Sequence, residues 1–138
     1  MKYLLDTNAI SALMKGHPVV VGRLNIVRRT DVTLPQPALA EIAYGIARLP
    51  KSKRRTWLEE RRDLLTATMA RSEWTDAVTA AFGQIKATLA RRGEPIEDMD
   101  AAIAAHALAT EAVLVTADRT HMTRIPGVNI EDWTEELS

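Results

Sequence analysis

Short, unbroken apolar runs alternate with segments of helical periodicity along this chain, and that alternation leaves few folds open to it. Tyr3-Leu4-Leu5 and Val113-Leu114-Val115-Thr116 lack the in–out pattern of a half-solvated strand. Runs of this kind read as parallel strands buried on both faces. Strands separated by helices imply an α/β fold with a parallel sheet. Each of the two runs is followed closely by an acid, Asp6 and Asp118. Open parallel sheets bind ligands beyond the carboxyl ends of their strands. Two carboxylates from opposite ends of the sequence are therefore expected at one edge of the sheet.

The remaining elements follow from the same signals. Thr7 or Asn8 can cap a helix reaching Met14, and a second helix is expected over 18–28. Val32-Thr33-Leu34 reads as a strand. Pro37 suits the first turn of a helix with Leu39, Ile42, Ile46 and Leu49 as its apolar stripe. A charged helix is expected over 52–65 and a short strand over Thr66 to Met69. Thr75 or a neighbour should cap a long helix to Arg92, with Val78, Phe82, Ile85 and Leu89 on one face. An alanine-rich helix over 99–110, a strand over 112–116 and a last strand at Val128-Asn129-Ile130 complete the chain.

The 138 residues support one domain, 1–138, with a single core. The chain has 46% hydrophobic and 26% charged residues, a globular balance. Without Cys there are no disulfides, thiolate metal sites or Cys nucleophiles, which suits a reducing cytoplasm. No basic, apolar leader and no membrane-length apolar run is visible. Net charge is zero, yet residues 51–62 read KSKRRTWLEERR, either a solvated helix face or a phosphate-contacting surface. Three Trp, two Tyr and one Phe are too few for a base-stacking sheet.

Four carboxylates stand where a metal site would want them: Asp6, Glu41, Asp100 and Asp118. Four nearby carboxylates cannot all remain ionised unless a cation neutralises them or some take up protons. Mg²⁺ or Mn²⁺, hard ions with oxygen ligands, are the usual partners. Asp6 can equally help start the following helix. Asp98 and Asp100 lie at the mouth of the alanine-rich helix, where its dipole favours them. Gly45, one turn after Glu41, costs about 1 kcal/mol relative to alanine inside a helix; close approach of a substrate or of another helix would offset it. His106 points away from Asp100 and reads as structural or surface. His17 and His121 match no ligand spacing, which argues against zinc. Phosphate-binding glycine loops and the GxSxG elbow are absent.

The ordered set LLDTNAIS at 4–11, LAEIAYG at 39–45, FGQIKATLARRGEPIEDMDAAIAAHAL at 82–108, LVTAD at 114–118 and IPGVNIEDW at 125–133 resembles PIN-domain ribonucleases, specifically the VapC toxins of VapBC toxin–antitoxin systems. The resemblance implies a parallel sheet sandwiched by helices and a Mg²⁺-dependent endoribonuclease, with Mn²⁺ as a substitute. Asp6, Glu41, Asp100 and Asp118 match its catalytic acids, and Asp6 and Asp100 its main metal ligands. Asn8, Thr116 and Asp98 match supporting positions. Met122 departs from the pattern, where an aromatic is common. The implied partners are RNA, a cognate antitoxin that inserts an Arg or Lys beside Asp6 and Asp100, and a second copy in a homodimer. A PIN-like binding module without strong catalysis and a structure-specific DNA nuclease are the alternatives.

Overall fold

The computed structural model describes residues 1–136. Among these residues five parallel strands form one sheet in the order β3-β2-β1-β4-β5. In chain order the elements are β1 (Tyr3–Leu5), α1 (Thr7–Met14), α2 (Pro18–Asn25), a 3₁₀ turn (Arg29–Asp31), β2 (Val32–Pro35), α3 (Gln36–Ala47), α4 (Lys53–Thr68), β3 (Ala70–Ser72), α5 (Asp76–Arg91), α6 (Asp98–Ala109), β4 (Val113–Val115), α7 (Arg119–Met122) and β5 (Ile130–Glu131). Among the described residues no helix is long and apolar enough to cross a membrane.

The central strands are short and largely interior. Leu4, Leu5, Leu34 and Leu114 have no exposed surface, and Val115 has 1%. Burying each such side chain stabilises the fold by about 1.5–3 kcal/mol. One hydrophobic core runs from these strands into Ile10, Ile42, Ile46, Val78, Ile85, Leu89 and Trp133. Ala101, Ala104 and Ala105 are fully buried on α6. Their small side chains let α6 lie close against α5 and the sheet.

The termini of the helices follow local chemistry. Thr75 caps α5 by accepting from the Val78 N–H at 3.3 Å. Gly93, at φ +71°, follows the last turn of α5 in the left-handed region that favours glycine. α1 is capped by neither Thr7 nor Asn8: Asp6 Oδ1 accepts from the Ala9 N–H at 2.8 Å.

Three expected boundaries are corrected. α2 stops at Asn25, and 29–31 form a separate 3₁₀ turn. Thr66–Thr68 belong to α4; the strand is Ala70–Ser72, held by parallel pairing to Thr33–Pro35. The last strand is Ile130–Glu131, not 128–130.

Candidate active site

Sheet register places the first two polar groups of the site. Leu5 pairs with Val115, so Asp6 and Thr116 emerge level at the carboxyl ends of β1 and β4. The Asp6 N–H donates to Val115 O at 3.1 Å. β1 continues to β2 on one side and borders β4 on the other, so the strand order reverses here. Such a switch point is where open α/β sheets leave a crevice. Glu41 comes in on α3, which leaves the end of β2; Asp100 sits in the first turn of α6. Glu41, Asp100 and Asp118 line a cleft of about 870 Å³.

Asp6, at the end of β1, is only 5% exposed and is not among the residues lining the cleft. Burial raises its pKa first; the Thr116 side chain and the Ala9 N–H oppose this by hydrogen bonding, while Asp100 and Asp118 add repulsion. The Asp100 pKa is raised by burial, then by Glu41 and Asp118, with His121 acting against them. The four carboxylates thus form one electrostatic unit.

Two neighbours hold these acids in place. The Thr7 hydroxyl donates to Glu41 Oε1, tying the first turn of α1 to α3. His121 Nδ1 lies 3.0 Å from each Asp118 oxygen, and the His121 N–H donates to Asp118 Oδ1 at 3.1 Å. Asp118 thereby caps α7. Sequence reasoning missed both neighbours. The usable signals were Thr7 directly after a strand-end acid, and the three-residue step from Asp118 to His121.

The supporting positions divide. Thr116 is buried, and its Oγ1 accepts from the Asp118 N–H at 2.9 Å. Asp98 lines the cleft but is turned to Lys86, 2.8 Å away. Asn8 is exposed and borders a separate small depression with Thr116 and Ala117. His106 is structural: it is fully buried, with Nδ1 2.9 Å from Ser72 Oγ and its ring edge-on to Trp74. A Cβ at Gly45 would meet nothing within 4 Å, so a tight helix contact does not account for that glycine.

As the side chains are oriented, no three acids or histidines among the described residues converge tightly enough to form a complete protein cage for a metal. The donor set nevertheless suits Mg²⁺. That ion keeps several waters and takes one or two carboxylates plus substrate phosphates, without needing an all-protein cage. The donors are hard oxygens, two with pKa values raised in part by their neighbours' charge, a strain that a divalent cation relieves.

Residues 3–128 match the PIN domain family. The chain is 32% identical over 136 residues to the tRNA(fMet)-specific endonuclease VapC of Salmonella typhimurium, covering 96% of this chain and 98% of that one. It is 28% identical over 135 residues to ribonuclease VapC2 of Rickettsia felis, at 96% and 98% coverage. The fold is similar to that in the crystal structure of DNA-bound VapBC from Salmonella typhimurium, with a TM-score of 0.86, 30% identity and coverage of 96% and 98%.

Proposed function

The chain belongs to the PIN domain family, and from that premise we propose that it is an endoribonuclease, the toxin of a toxin–antitoxin pair, that uses Mg²⁺ to hydrolyse RNA phosphodiester bonds. The observation that supports this reading is the cleft lined by Glu41, Asp100 and Asp118, with Asp6 buried at the end of β1 and the pKa values of Asp6 and Asp100 raised by burial and, in part, by neighbouring acids. Relatives that align from end to end with this chain bear the names of a ribonuclease and a tRNA endonuclease, which supports RNA as the substrate. Structural neighbours solved as VapBC complexes support an antitoxin partner. A homodimer and Mn²⁺ as a substitute ion complete the proposal.

Asp6 and Asp100 would hold the cation. When bound, it polarises the scissile phosphate and lowers the pKa of a neighbouring water. The chain's own groups do the rest. The Ala9 N–H and the Thr116 side chain fix the Asp6 carboxylate. Glu41, aimed by Thr7, takes the proton of the attacking water. Asp118, held by His121, orients that water. The water oxygen bonds to phosphorus, the bond to the 3′ oxygen breaks, and that oxygen takes up a proton from solvent water. The products are a 5′-phosphate and a 3′-hydroxyl.

The test is a parallel assay of purified protein on labelled RNA and on DNA of the same sequence, with Mg²⁺ and with chelator. RNA cleavage only with metal is expected. Cleavage of DNA alone would replace this reading with that of a DNA nuclease, and binding without cleavage would make the domain a recognition module.

A further inference from the structure

A cleft lined by acids repels a polyanion, so RNA needs a cation at the cleft wall to anchor it. Among the described residues Lys86 and Arg124 are the lysine and arginine lining this cleft. Arg124 is committed to the fold: its guanidinium donates to Glu94 O at 2.6 Å, Pro95 O at 3.1 Å and His121 O at 2.9 Å. Lys86 is less committed. An ammonium has three donors. The Lys86 ammonium gives one to Ile96 O at 2.8 Å, and it faces Asp98 Oδ1 at 2.8 Å.

The Asp98 side chain is 78% exposed and that of Lys86 36%. An ion pair so open to water contributes little to stability, so it is cheaply exchanged. A phosphate oxygen offers the same charge and the same acceptor chemistry as the carboxylate it would replace. We infer that Lys86 anchors an RNA backbone phosphate next to the scissile one, and that Asp98 occupies its place in the free protein. Asp98 is then a stand-in for substrate, acting through Lys86, and takes no part in catalysis. The inference rests on the nuclease reading above.

The alternative is that the pair only staples α5 to the start of α6. The two accounts differ in sign. A staple is broken equally by losing either partner, so both variants would weaken binding. An anchor is lost in Lys86→Gln but released in Asp98→Asn.

The experiment measures anisotropy of a fluorescein-labelled RNA stem–loop in an Asp6→Asn background, in which cutting should be abolished, across a salt series. Lys86→Gln should bind several-fold more weakly and lower the slope of log K against log salt by about 0.7–0.9, one phosphate contact. Lys86→Arg should keep the slope. Asp98→Asn should bind more tightly, and by more than Glu97→Gln, which removes a cleft charge that has no lysine partner. If Lys86→Gln fails to fold, the Asp98→Asn and Glu97→Gln comparison decides. An unchanged slope in Lys86→Gln, or weaker binding in Asp98→Asn, overturns the anchor while the nuclease reading stands. No RNA binding by the Asp6→Asn parent at low salt overturns the anchor, and if the unmodified protein with Mg²⁺ also leaves RNA intact, the nuclease reading falls with it.

Discussion

The Thr7 hydroxyl donates to the Glu41 carboxylate, joining the turn after the central strand to the helix that follows its neighbour. Thr7 directly follows the buried Asp6, so one short step of chain fixes two acids of the cluster. Partners that orient active-site carboxylates typically contribute about 10- to 100-fold to activity. Thr7→Val should lower the rate of RNA cleavage by about that factor with little change in melting temperature. Thr7→Ser, which keeps the hydroxyl, should restore most of it. A fully active Thr7→Val would mean that Glu41 needs no guide.

Metal and pH should act on the same strain. Burial and neighbouring acids raise the pKa values of Asp6 and Asp100 in the fold. A carboxyl raised in the folded state costs stability once it ionises, and that cost disappears as pH falls through the folded-state pKa. Metal-free Asp6→Asn and Asp100→Asn should therefore melt higher than the parent at neutral pH. The difference should shrink as pH is lowered into the carboxylate range. Asn also caps helices, so Asp6→Asn keeps the start of α1. Mg²⁺ at a hundredfold excess over its Kd should add about 2.7 kcal/mol to the parent. The double variant should gain nothing. A melting temperature indifferent to Mg²⁺ and Mn²⁺ would count against the site.

His106 gives the opposite pH slope. Burial lowers its pKa, with Glu73 opposing, so the neutral ring is the folded form. The unfolded chain takes up the proton first. Stability is present above the ordinary histidine value, about 6.5, and is lost as pH falls below it. His106→Ala should destabilise the fold by about 2–4 kcal/mol, since it opens a cavity and leaves Ser72 without its partner. The folded fraction should cut RNA at the parent rate. A loss of specific activity at full folding would give His106 a role beyond packing.

Gly45 tests for substrate close to α3. A Cβ there meets open space, so Gly45→Ala should stabilise the protein by about 1 kcal/mol. If RNA passes close to this turn, one helical step from Glu41, KM should rise while kcat holds. Raised stability with unchanged KM would place the RNA path elsewhere.

The parts of this site legible in the sequence were those written locally. Asp6 and Asp118 each closely follow a short, mainly apolar run, and alternation of such runs with helical segments reads as interior strands. The helical stripe of Ile42 and Ile46 gave α3 and hence the face bearing Glu41. What stayed hidden was non-local or too short to leave a period. Ala70–Ser72 carries no apolar pattern and is a strand only through its partners in β2. α7, four residues long, lies below the length at which periodicity can be read. The Lys86–Asp98 pair joins two helices across a turn, and no spacing rule along the chain anticipates it.

The central claim is that these carboxylates perform metal-assisted hydrolysis of RNA, and Asp100→Asn tests it most directly. The exchange keeps the shape of the side chain and removes the charge. Purified parent and variant should be given the same RNA with Mg²⁺, and the ends of any fragments mapped. The parent should leave 5′-phosphate and 3′-hydroxyl ends, and a folded Asp100→Asn should leave the RNA intact. Full activity in purified Asp100→Asn, or a 2′,3′-cyclic phosphate in the parent's products, would contradict the account.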